Sequence, residues 1–127
     1  MQYIWFLAIL FVIHYLADFF IQVYTWKSTT RWLRTMITHV VTYIFVMMFG
    51  LIILESIFPS VSIHYHSLLA FIGINAAVHF IVDVGAKKLA QIMHKHNEIT
   101  GFVNVVALDQ CLHYITLLIT FGIFFVK

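Results

Sequence analysis

The chain has 127 residues, 63% of them hydrophobic and 9% charged, with a formal net charge of +2. So apolar a composition excludes a soluble enzyme with a charged surface and predicts a single membrane domain over residues 1–127, with any chemistry built between its helices. The modest charge leaves no basic footprint for nucleic acid, because the few Lys and Arg side chains are accounted for by membrane topology.

Runs of about twenty apolar residues predict four transmembrane helices, over residues 3–23, 36–57, 67–86 and 102–126. The first carries His14 and Asp18. It lacks the basic leader and small-residue cleavage site of a secretory signal, so it is expected to be retained as a helix. Residues 24–35 follow, with Lys27, Arg31 and Arg34 beside Trp26 and Trp32, a composition suited to the headgroup layer. The second span carries His39, and beyond it lie Glu55, Pro59, His64 and His66. The third carries Asn75, His79 and Asp83. After it, Leu89, Ile92 and Met93 recur at helical spacing, which predicts that the third helix continues past its apolar run. The fourth carries Asp109, Gln110, Cys111 and His113.

Lys27, Arg31 and Arg34 in the first connection and Lys87, Lys88 and Lys95 in the third lie on one side, against Lys127 on the other. The positive-inside rule makes that basic side cytoplasmic. The expected fold is therefore an all-α, four-transmembrane-helix bundle of two helical hairpins, with both termini outside.

Several residues receive plain readings. His64, His66, His94 and His96 read as solvated surface histidines, and Cys111 as a small buried hydrophobe. Tyr15, Tyr43 and Tyr114 read as packing or lipid-facing. Gly50, Gly73, Gly85 and Gly122 are candidates for close helix contact.

The chemistry is concentrated in three pairs spaced four residues apart: His14 and Asp18, His79 and Asp83, and Asp109 and His113. Such spacing puts both members of a pair on one helix face. Spans one and three run inward and span four outward, so the reversed order in span four restores the same vertical order in space. A histidine level then lies beneath an aspartate level, with His39 near the latter, and Gln22, Asn75 and Gln110 stand as supporting polar neighbours. Aspartate in hydrocarbon costs about 2.5 to 3.5 kcal/mol on insertion scales, which points to function.

The set His14, Asp18, His39, His79, Asp83, Asp109 and His113 matches the ligand chemistry of a divalent metal, zinc foremost, with iron or manganese next. Seven ligands exceed one tetrahedral zinc, so either two ions are held or some aspartates orient ligating imidazoles. With an open coordination position and Asp18, Asp83 or Asp109 as general base, the site would form a metal-dependent hydrolase at the inner leaflet. Two other readings stay open. One is a proton, ion or small-molecule pathway built on a His/Asp relay, which calls for a homo-oligomer. The other is a non-catalytic interaction protein whose His/Asp network only packs the helices, although such polar contacts average only about 0.6 kcal/mol each.

The blocks His14-Tyr-Leu-Ala-Asp18-Phe-Phe-Ile-Gln22, His39 with Tyr43, His79-Phe-Ile-Val-Asp83 with Lys87, and Asp109-Gln110-Cys-Leu-His113 stand in this order along the chain. In these blocks the chain resembles the small bacterial and phage membrane proteins grouped as domain of unknown function 3307, over nearly its whole length. The resemblance implies a bacterial inner membrane, or the host's if the chain is phage-encoded. It brings no activity with it.

Overall fold

Charged side chains such as Lys and Glu are good helix formers, so a helix need not stop where its apolar run does. The computed structural model, which describes residues 1–22 and 32–126, follows this rule. It contains α1 (Gln2–Gln22), α2 (Trp32–Ile57), α3 (Tyr65–Lys95) and α4 (Ile99–Phe125), and no strand among the described residues. Each helix includes a stretch long and apolar enough to cross a membrane. α2 starts earlier than its apolar run, α4 starts three residues earlier, and α3 continues through Lys87 and Lys88 to Lys95 as the spacing of Leu89, Ile92 and Met93 predicts.

The connection between α3 and α4 is therefore only His96, Asn97 and Glu98. Asn97 adopts φ 57°, the left-handed conformation that asparagine tolerates better than most residues. The amide of Glu98 reaches back to the Met93 carbonyl at 2.9 Å, closing the helix end. So short a link makes α3 and α4 antiparallel neighbours. At the opposite end, the Glu55 carboxylate accepts a 2.9 Å hydrogen bond from the Ile63 amide, and the Ser60 hydroxyl donates to the Gln2 side chain. These contacts fold residues 58–64 over the bundle and bury Val61 completely.

Consecutive helices pack together, and α1 also meets α4, so the four form a closed ring. Each helix buries one stripe at spacings of three and four residues. The stripes are Phe6, Leu10, His14 and Asp18 on α1, and Met36, His39, Tyr43, Met47, Leu51 and Leu54 on α2. On α3 they include Phe71, Asn75, His79 and Asp83, and on α4 Val105, Asp109, His113, Leu117, Phe121 and Phe125. The interior thus has a polar half towards the α3–α4 turn and an apolar half beyond it. Outside, Ile9, Val12, Val41, Phe45, Phe49, Ile81, Leu108 and Ile119 are exposed, so the bundle is apolar outside and polar within only in its half towards the α3–α4 turn.

Two expectations are corrected. A methyl group on Gly73, Gly85 or Gly122 would meet nothing within 4 Å, whereas on Gly50 it would strike Ile13 at 2.9 Å, so only Gly50 of these four admits a close helix approach, that of α1 to α2. Cys111 is exposed. It lies two residues from both Asp109 and His113, roughly 200° around the helix from that buried stripe.

Candidate functional site

His14, Asp18, His39, His79, Asp83, Asp109 and His113 meet in the polar half of the bundle, each at most 7% exposed. All four helices contribute. Asp18 lies four residues from the end of α1 and His39 seven from the start of α2, placing them about 6 to 10 Å inside those helix ends.

At the centre, Nε2 of His39 lies 3.1 Å from Asp18 Oδ1, 3.1 Å from His79 Nε2 and 3.3 Å from Asp83 Oδ2. Nε2 of His79 is 3.7 Å from the same Asp18 oxygen and 3.8 Å from the same Asp83 oxygen. Metal–ligand bonds of about 2.0 to 2.2 Å place tetrahedral ligand atoms roughly 3.3 to 3.6 Å apart. The five separations bracket that range, and all four ligand atoms lie within 4.8 Å of one another. The residues present therefore fit a four-coordinate cation.

The other three residues stand alongside. His113 Nε2 is 3.7 Å from Asp83 Oδ1, the carboxylate oxygen facing away from His39, and His113 Nδ1 is 4.0 Å from Asp109 Oδ1. The His14 ring is 5.9 Å from that of His79 and 5.4 Å from that of His113. Imidazoles at 14, 79 and 113 thus gather in one layer, while His39 sits among the aspartates.

Around them is a partly completed shell. The Gln110 amide donates to Asp18 Oδ2 at 2.5 Å and to Asp109 Oδ2 at 3.3 Å. The Tyr43 hydroxyl is 3.3 Å from His14 Nδ1, and the Tyr43 ring stacks on His79 with centroids 4.2 Å apart. Tyr43 is 2% exposed, so it faces the site rather than lipid. Lys87 brings Nζ within 3.6 Å of Asp83 Oδ2 and 2.9 Å of Met36 Sδ. Of the ion pairs formed by the described residues, only this one contributes a Lys or Arg side chain.

Asn75 does not reach the cluster's ligand atoms. Its amide donates to the Phe71 carbonyl at 2.8 Å and to Thr120 Oγ1 at 2.9 Å, one turn deeper than His79. The Gln22 side chain lies outside the described residues, as do Lys27, Arg31, Trp26 and Lys127. The histidines at 64, 66, 94 and 96 are exposed.

Tyr43 and Lys87 are the site neighbours whose roles residue-by-residue reading passes over. Both carry a signal: Tyr43 follows His39 by four residues and Lys87 follows Asp83 by four, so each shares its predecessor's face.

Nine buried side-chain atoms here have no hydrogen-bond partner among the described residues: His14 Nε2, His39 Nδ1, His79 Nδ1, both Asp83 oxygens, Asp109 Oδ1, Gln110 Oε1 and both nitrogens of His113. A network serving only to join helices is expected to be saturated, since each unsatisfied buried group costs about 1 to 3 kcal/mol. So many orphans concentrated at one point make the cluster a candidate site.

Comparison with curated proteins and with solved structures found no match. The model of the family described as protein of unknown function (DUF3307) matches residues 6–127, which contain all seven clustered residues, and the chain belongs to that family.

Proposed function

We propose that this chain is a multi-pass protein of the bacterial inner membrane that holds a divalent cation, zinc foremost, and acts as a metal-dependent hydrolase at the cytoplasmic leaflet. The observation that carries the reading is the convergence of Asp18 Oδ1, His39 Nε2, His79 Nε2 and Asp83 Oδ2 at separations of 3.1 to 3.8 Å. Charge supports it. Three buried carboxylates against Lys87 leave two negative charges when the imidazoles are neutral, which one divalent ion cancels.

The exposed apolar surface of the helices suits lipid, and the basic side chains near the α3–α4 turn orient that end to the cytoplasm, with both termini outside. A lipid-derived substrate is favoured by an open apolar groove lined by Phe11, Val12, Tyr15 and Tyr114. Tyr114, which lines this groove, stands with its ring 5.3 Å from that of His14 in the cluster. Asp109, which lies outside the four central ligands, is the carboxylate best placed to serve as general base.

A continuous pathway for ions fits less well. At and beyond the level of Asn75 and Thr120 the interior is closed by Phe6, Leu10, Leu51, Phe71, Leu117 and Phe121, all 3% exposed or less.

Elemental analysis of protein purified in detergent tests the proposal, comparing wild type with His79→Ala and Asp83→Ala. Near-stoichiometric zinc, iron or manganese that is lost in both variants is the expected result. A metal-free wild type that binds no added zinc, iron or manganese would refute it.

A further inference from the structure

The four-ligand centre uses only part of the cluster. Asp83 directs its two oxygens differently: Oδ2 faces His39 and His79, while Oδ1 faces His113 Nε2 at 3.7 Å. A carboxylate split in this way has the form of a bridge between two cations. On the far side of that bridge, one ligand atom each from Asp83, Asp109 and His113 lie within 4.8 Å of one another.

His113 is 3% exposed, and among the described residues neither of its ring nitrogens has a hydrogen-bond partner; Asp109 Oδ1 is likewise buried and without one. These are ligand-type atoms, desolvated: His113 Nε2 faces Asp83 Oδ1 and its Nδ1 lies 4.0 Å from Asp109 Oδ1, and one of the two nitrogens completes the three-residue group. His14 adjoins this group. It offers a ring nitrogen within 4.8 Å of His113's, and its Nδ1 is held by Tyr43, which leaves Nε2 for the cluster.

We infer that a second divalent cation binds between Asp83, Asp109 and His113, sharing the Asp83 carboxylate with the first; Asp109 is then a ligand, and the general-base role it has with one cation bound is given up. This inference rests on the first cation being held as proposed above. The two positions differ in kind. The first has four protein ligands, so water or substrate joins it only as a fifth, whereas the second has three and keeps a coordination position for water or substrate on the side of His14. Two divalent ions and Lys87 against three carboxylates leave two positive charges, so the second cation enters with anionic ligands: a bridging hydroxide, and the oxyanion of a substrate. The centre therefore selects substrates that present an oxygen anion to the metal.

The test is a cobalt(II) titration of the full-length, chelator-stripped protein in detergent, with X-ray absorption of the loaded samples. Wild type is expected to bind two equivalents per chain and to show a metal–metal vector of roughly 3.5 to 4 Å. His113→Ala and Asp109→Asn are each expected to bind one equivalent and to lose the vector, while His79→Ala loses the first. One equivalent in wild type, unchanged in His113→Ala and absent in His79→Ala, overturns the second cation and leaves the first standing. No bound cobalt in wild type overturns both. The absorption measurement on wild type decides the matter even if the variants fail to fold.

Discussion

His39 and His79, on different helices, bring their Nε2 atoms within 3.1 Å of each other, with an aspartate oxygen beside each pairing. Removing either ring takes a ligand from the same point. His39→Ala and His79→Ala are therefore expected to weaken zinc binding by more than about 100-fold, the upper end of what outer-shell changes alone produce. Competition against a chromophoric chelator measures this. Equal affinity in wild type and both variants would place the cation elsewhere.

Gln110 offers a finer probe, because it touches no cation in this scheme and instead donates to Asp18 at 2.5 Å and Asp109 at 3.3 Å. Gln110→Ala frees both carboxylates to turn. The expected loss is about 10- to 100-fold in metal affinity with the helical content unchanged. A variant that unfolds, measured by circular dichroism in the same detergent, would make Gln110 a packing residue.

Metal removal should also register as stability. A cation present at 100 times its dissociation constant stabilises the folded state by about 2.7 kcal/mol when it does not bind the unfolded one. Chelation is thus expected to lower the melting temperature of wild type, with recovery on adding zinc. Asp83→Asn should melt at the same temperature with or without chelator. A wild type indifferent to chelator contradicts a bound metal.

What could be read before the fold was known followed from helical periodicity. His14 with Asp18, His79 with Asp83 and Asp109 with His113 each had to share a face, and the antiparallel run of α4 had to restore their order. Periodicity cannot say which polar residue on that face captures which. Asn75 lies on the His79 face, yet its amide is taken by Phe71 and Thr120. Nor can it rank faces that all look apolar: Gly73, Gly85 and Gly122 turn to open space, and Cys111 points outwards from between two buried ligands. Tyr43 reads from sequence as packing or lipid-facing, and only the fold shows its ring stacked on His79.

The Asn75–Thr120 contact gives the contrast a packing role requires. Both side chains are buried, and Thr120 keeps a backbone partner in the Thr116 carbonyl at 2.8 Å when Asn75 is removed. Asn75→Ala is expected to cost about 0.6 kcal/mol and at most about 1.7 kcal/mol, the range of polar contacts between membrane helices. Its metal content should equal that of wild type. Loss of metal in this variant would extend the site one turn deeper than the cluster at His79.

Orientation can be tested independently of any metal. The α3–α4 turn at His96, Asn97 and Glu98 follows Lys87, Lys88 and Lys95 and faces the same end as Arg34 at the start of α2, so that end is expected in the cytoplasm. A fluorescent reporter inserted at Asn97 should be bright and an alkaline phosphatase inserted there inactive. Fusions after Val126 should behave in the opposite way. The reversed pattern would put the cluster near the outer leaflet and remove cytoplasmic substrates from consideration, because the apolar plug from Phe6 to Phe121 closes the other end.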